Sequence, residues 1–142
     1  MKVIYWLIGT ILAVPVILVA VVYGVSEVGG EVVTLLRPEP DGSQSNVRIW
    51  IVDDRDVSWI EHGDPNSYWL GQLEQAPQLT ITRDGKRQSY RATADPAAHD
   101  QYHRLRYEKY GVADDIVAQF SGAGEDCGAV PVRLDLQAHS AK

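Results

Sequence analysis

Cysteine is almost missing from this chain: Cys127 is the only one in 142 residues. Neither an internal disulfide nor a cysteine-rich metal site can therefore form. Basic charge is short as well, with 13 Lys and Arg against 19 Asp and Glu and a formal net charge of −6. Without Lys2 the excess of acid on the remainder is larger still. Nucleic acid is excluded as a partner, because binding it demands a basic footprint. There is no nucleophile elbow, Walker motif, dinucleotide glycine fingerprint or catalytic-triad signature, and no internal repeat. Charge is absent altogether from Val3 to Val25.

That uncharged run predicts a helix. At about 1.5 Å per residue it would reach roughly 35 Å, against a bilayer core of about 30 Å. Tyr5, Trp6 and Tyr23 stand near its ends, where aromatic rings favour the headgroup level. The run is longer than the apolar part of a cleaved signal peptide, so residues 1–26 read as a single transmembrane anchor. Lys2 precedes the span while Glu27 and Glu31 follow it. The positive-inside rule then puts the head, residues 27–142, on the exported, periplasmic or extracytoplasmic side of a lipid bilayer.

The head is long enough for one domain with its own core. Residues 31–37 read as a strand, and Asp41-Gly42 as a reversal. Residues 46–53 (NVRIWIVD) alternate with large apolar groups in both rows, which predicts a strand covered on both sides. Residues 57–61 follow as a third strand. Asn66 or Ser67 can cap a short helix ending before Pro77. Strands at 79–83 and 86–93 flank Asp84-Gly85, the strongest hairpin signal present. Asp95-Pro96 opens a helix that stops at Gly111, with a second short helix over 112–120. Residues 129–136 alternate as a last strand. Six strands joined mainly by tight reversals predict an α+β head: an antiparallel β-barrel with flanking helices, behind the transmembrane helix.

The order VRIWIVDD, WI-x-x-G, YWLGQLEQAP, TITRDGKRQSYRA and RYEKYGVAD resembles the nitroreductase/quinone reductase family, the deazaflavin-dependent oxidoreductases of the split β-barrel class, in its membrane-anchored bacterial branch. The resemblance covers about Val32 to Leu136. It implies a reductase carrying FMN or the deazaflavin F420 and acting on quinones or nitro compounds. A bilayer quinone would suit a membrane-tethered head. The resemblance also implies that Trp50 and Trp69 line the cofactor, that Glu61, His62 and Gly63 pass near its ring, and that Tyr107 and Tyr110 help close the substrate side. The family's basic cofactor-tail loop falls on residues 38–45. Only its glycine, Gly42, is kept, and Glu39, Pro40, Ser43 and Ser45 replace the basic positions. That departure counts against binding a polyanionic deazaflavin tail in the usual way, and leaves Arg48 as the nearby cation for a phosphate. The alternative is a non-catalytic accessory subunit of a larger membrane complex, built on a degenerate barrel. Pairing of two heads as a homodimer also suits this class.

Read without the resemblance, Trp50, Trp59, Tyr68 and Trp69 are more simply the core of a small domain. His99 and His103 share one helix face at a spacing that suits two metal ligands. Asp100 stands where the Glu of His-Glu-x-x-His belongs and no third ligand is evident, so the reading is of two exposed histidines and no metal. A haem or metal module using His62, or the His99/His103 pair, is the third and weakest reading. No side chain is assigned a catalytic role.

Overall fold

A computed structural model describes residue 17, residues 30–115 and residues 127–137. Seven strands form one antiparallel sheet: β1 (Val32–Pro38), β2 (Gln44–Trp50), β3 (Val52–Asp54), β4 (Val57–His62), β5 (Gln78–Arg83), β6 (Lys86–Ala94) and β7 (Val130–Leu136). Their order across the sheet is β2-β1-β5-β6-β7-β4-β3. Helix α1 (Tyr68–Gln72) follows β4. A 3₁₀ turn (Pro96–Ala98) leads into helix α2 (His99–Tyr110) before β7.

The two outermost strands, β2 and β3, are consecutive in the chain and separated only by Ile51. The sheet must therefore curl until its opposite edges meet at that residue. This is why the predicted single strand over 46–53 is two strands, and why the sheet has seven rather than six. Ile51 and Val52 are adjacent yet both fully buried, as a chain crossing from one sheet edge to the other requires.

Alternation sorts the side chains. Val33, Leu35, Ile60, Ile81, Val132 and Leu134 face inward and form one core with Trp69, Leu73 and Tyr90. A second cluster lies outside the curl, where α2 lays Tyr102 and Tyr110 over Val52 and Trp59. The hairpin between β5 and β6 turns on Asp84 and Gly85, with φ of 49° and 71°, the left-handed pair that matches strand twist. Helix α2 stops at Gly111, φ 49°. Ser67 and Asp95 stand at the expected helix starts, but neither side chain makes a capping bond.

The expected transmembrane anchor is corrected here. Among the described residues no helix is long and apolar enough to cross a membrane, and the span expected over 3–25 lies, apart from residue 17, outside them. Among the described residues the fold class becomes a curled seven-stranded antiparallel sheet with flanking helices. The exported single-pass localisation is withdrawn with the anchor on which it rested. Of the helix expected over 112–120, residues 112–115 are helical and the rest is outside the described residues.

Candidate functional site

The residues expected to share one site fall in separate places. Trp50 and Tyr110 lie where the sheet closes, their ring centroids 4.7 Å apart. The Tyr110 hydroxyl donates to the Ile51 carbonyl and, at 3.2 Å, to that of Glu31. Lys109 Nζ donates to the same Ile51 carbonyl at 2.8 Å. Around this junction Arg83 forks onto Glu31 (2.5 and 2.8 Å) and Asp53 (3.0 and 2.8 Å). The Arg83 hydrogen bonds hold the Asp53 carboxyl far below the usual range against its partial burial. Burial pulls Glu31 upward, but hydrogen bonds from Arg83 and Lys109 outweigh it and leave its pKa lowered. Burial also pushes the Tyr110 phenol up. Tyr110 is thus a clamp on the backbone, while Tyr107, 57% exposed, points away from it to solvent.

Trp69 plugs one end of the curl, 3% exposed, with His62 stacked on it at 5.4 Å and 20°. Burial and the charge of Arg37 hold the His62 imidazole below its ordinary pKa, so it is neutral at pH 7. Beside this plug a cleft of about 300 Å³ opens between the β1–β2 turn and α1. Leu36, Pro38, Trp69 and Leu73 give it apolar walls, and Gln44, Gln72, Gln78 and Thr80 supply neutral hydrogen-bonding groups. The turn itself is acidic. Glu39 accepts from Arg37 at 3.0 and 2.7 Å and from the Ser45 hydroxyl, and Asp41 accepts from Ser43. These bonds lower both carboxyls. Gly63, after His62, has open space where a side chain would be. Arg48 is exposed on β2 opposite Thr34 and does not line the cleft. A larger hollow of about 420 Å³ on the other side of α1 holds none of the expected residues.

Glu61 faces outward from β4 and meets α2. Its Oε2 accepts from Arg106 at 2.8 Å, and its Oε1 lies 3.0 Å from His103 Nε2. Arg106 Nε stands 2.6 Å from Asp114 Oδ1 as an ion pair. Burial raises Asp114, opposed by Arg106. His99 and His103, expected in solvent, are about 70% covered and touch through their Nε2 atoms at 3.2 Å. Cys127 completes the group: one donor atom each from Glu61, His99, His103 and Cys127 lie within 4.8 Å of one another. Sequence reasoning missed Cys127, Arg106 and Asp114 here; the paired histidines were the one signal that pointed to the place.

No protein-family model matches the chain, and no curated protein matches its sequence. Solved structures do share its shape. A structure of an F420-H2 dependent reductase aligns with a TM-score of 0.51 at 14% identity, over 74% of this chain and 94% of that one. HutZ, the haem storage protein of Vibrio cholerae, aligns with a TM-score of 0.53 at 11% identity, over 76% and 82%. A domain-swapped dimer aligns with a TM-score of 0.50 at 15% identity, over 75% and 80%. The fold is therefore that of the split barrels. At such identities the likeness concerns shape alone, and one of these neighbours is named as a reductase while another is named for haem storage.

Proposed function

We propose that this chain is an oxidoreductase of the flavin or deazaflavin reductase kind, with its ring in the cleft between the β1–β2 turn and α1. The observation that carries this reading is the cleft's make-up. The two segments that the family resemblance assigns to cofactor binding, the first turn and the Trp69 helix, come together there around apolar walls and uncharged amides. A flat heteroaromatic ring needs such walls, with a few hydrogen bonds at its polar edge. Trp69 and Leu36 would supply the walls, Gln44 and Gln72 the edge contacts, and neutral His62 would back the indole. The bound ring would supply the hydride chemistry; the protein would orient it and exclude water.

The residues fit a ring better than they fit a long anionic tail. Glu39 and Asp41 are held ionised at the turn, and Arg37 is already committed to Glu39. FMN, with one phosphate, is favoured over a deazaflavin carrying a chain of carboxylates, which would meet like charge there. Titrating the purified protein with FMN while following flavin fluorescence tests this. Saturable one-to-one binding is expected, weakened at least tenfold when Leu36→Trp fills the cleft in a protein of unchanged circular dichroism. Equal binding by the filled variant would remove the cleft assignment.

A second reading, a non-catalytic degenerate barrel, is favoured by the Arg37–Glu39 pair that replaces a basic loop. It predicts no binding of either cofactor. Pairing as a homodimer is compatible with both readings and is read by light scattering.

A further inference from the structure

The Glu61 group carries a function of its own. We propose that Glu61, His99, His103 and Cys127 form a four-coordinate site for a divalent metal of the zinc class, which pins α2 and the start of β7 to the outer face of β4.

The donor set comes from three separate parts of the fold: Glu61 from β4, the two histidines one turn apart on α2, and Cys127 just before β7. Geometry supports convergence. With metal–ligand bonds of about 2.0–2.1 Å, two nitrogens on a tetrahedral centre stand roughly 3.3 Å apart; His99 and His103 place their Nε2 atoms 3.2 Å apart. Glu61 Oε1 sits 3.0 Å from His103 Nε2, again close to the edge of such a tetrahedron. The Glu61 side chain is 9% exposed, and its Oε1 turns to the ring nitrogen of His103. A buried carboxylate oxygen needs a polar partner, and the groups gathered on this side of Glu61 are the two imidazoles and the Cys127 thiol. Its other oxygen is held by Arg106, the outer-shell contact that fixes a carboxylate for single-oxygen ligation.

Charge also closes. One carboxylate and one thiolate neutralise a dication, with neutral imidazoles completing the shell, and Arg106 is balanced by Asp114. The thiol gives up its proton to solvent as the metal–sulfur bond forms. Sulfur with imidazole and carboxylate suits zinc better than magnesium or calcium. Four protein ligands leave no open position, which is the pattern of a structural metal rather than a catalytic one. The site lies on α2's side of the barrel, not in the cleft, and does not depend on the cofactor reading.

The full chain, stripped with chelator, is titrated with Zn²⁺ and separately with Co²⁺ as a spectroscopic probe. One equivalent of metal should bind. The Co²⁺ form should show the strong visible bands of a tetrahedral centre and a near-ultraviolet thiolate charge-transfer band. Cys127→Ser should abolish the charge-transfer band, and His103→Ala should lower affinity at least about a hundredfold. His62→Ala should change neither. Zn²⁺ should raise the melting temperature of the parent protein and fail to do so for Cys127→Ser, a partly exposed position where folding is not at risk. Less than one equivalent retained, a weak octahedral Co²⁺ spectrum, or a charge-transfer band that survives Cys127→Ser would each overturn the site.

Discussion

Tyr110→Phe is the sharpest perturbation of the barrel closure, because it removes one oxygen and leaves the ring on Trp50 in place. That hydroxyl joins α2 to both sides of the junction, the carbonyls of Ile51 and Glu31. Tyr110 is only 6% exposed, so water does not readily replace it. Lys109 still serves the Ile51 carbonyl, so that acceptor is not orphaned. The loss is then of the order of a net buried hydrogen bond or slightly more, about 1–2 kcal/mol. For a domain of this size that lowers the melting temperature by roughly 5–10 °C. Urea denaturation of parent and variant measures it, with an unchanged m-value expected because the exposed surface is the same. FMN binding should be unaffected, since Tyr110 does not line the cleft. A stability change under about 0.3 kcal/mol, or a loss of ligand binding without loss of stability, would refute the clamp and return Tyr110 to the substrate side.

The ion network at the same junction makes stability depend on acid. Asp53 has a folded pKa below its unfolded value of about 3.9, so its contribution is complete above that value and is lost as pH falls towards the folded one. Parent minus Asp53→Asn stability, from urea melts between pH 6 and about pH 2.5, should shrink by roughly 1–2 kcal/mol after allowing for solvent screening; a flat difference would contradict it. Trp69→Ala should cost about 3–5 kcal/mol in urea melts, because the indole plugs the core end. Glu39→Lys should tighten the binding of a polyanionic deazaflavin several-fold, most at low salt, as read by fluorescence titration.

Much of the barrel was legible because local chemistry and fold agree. Asp84-Gly85, the Gly111 stop and the strand over 31–37 all read from the chain close to where they stand in the structure. The break at Ile51 was not legible. Residues 46–53 carry large apolar groups in both rows, and periodicity does not mark where a strand leaves one sheet edge for the other. Helix α2 hid its partners for a related reason: HDQYHRLRYEKY buries Tyr102 and Tyr110 but presents His103 and Arg106 to the barrel. A polar helix face reads as solvent unless the opposing carboxylate is known. Glu61 was assigned to the cofactor by resemblance, and the residues it meets in the structure, His103 and Arg106, lie far along the sequence. The same resemblance drew Trp50 to the cofactor and Tyr110 to the substrate side; in the structure the two rings pack on each other.

Whether this barrel holds a redox ring at all decides its function. The absorption spectrum of the protein as purified, from the near ultraviolet through the visible, with the mass of any extracted chromophore, tests that most directly. A flavin spectrum and the mass of FMN are predicted. A colourless protein that takes up neither FMN nor deazaflavin on titration, or one with a haem Soret band, would contradict it.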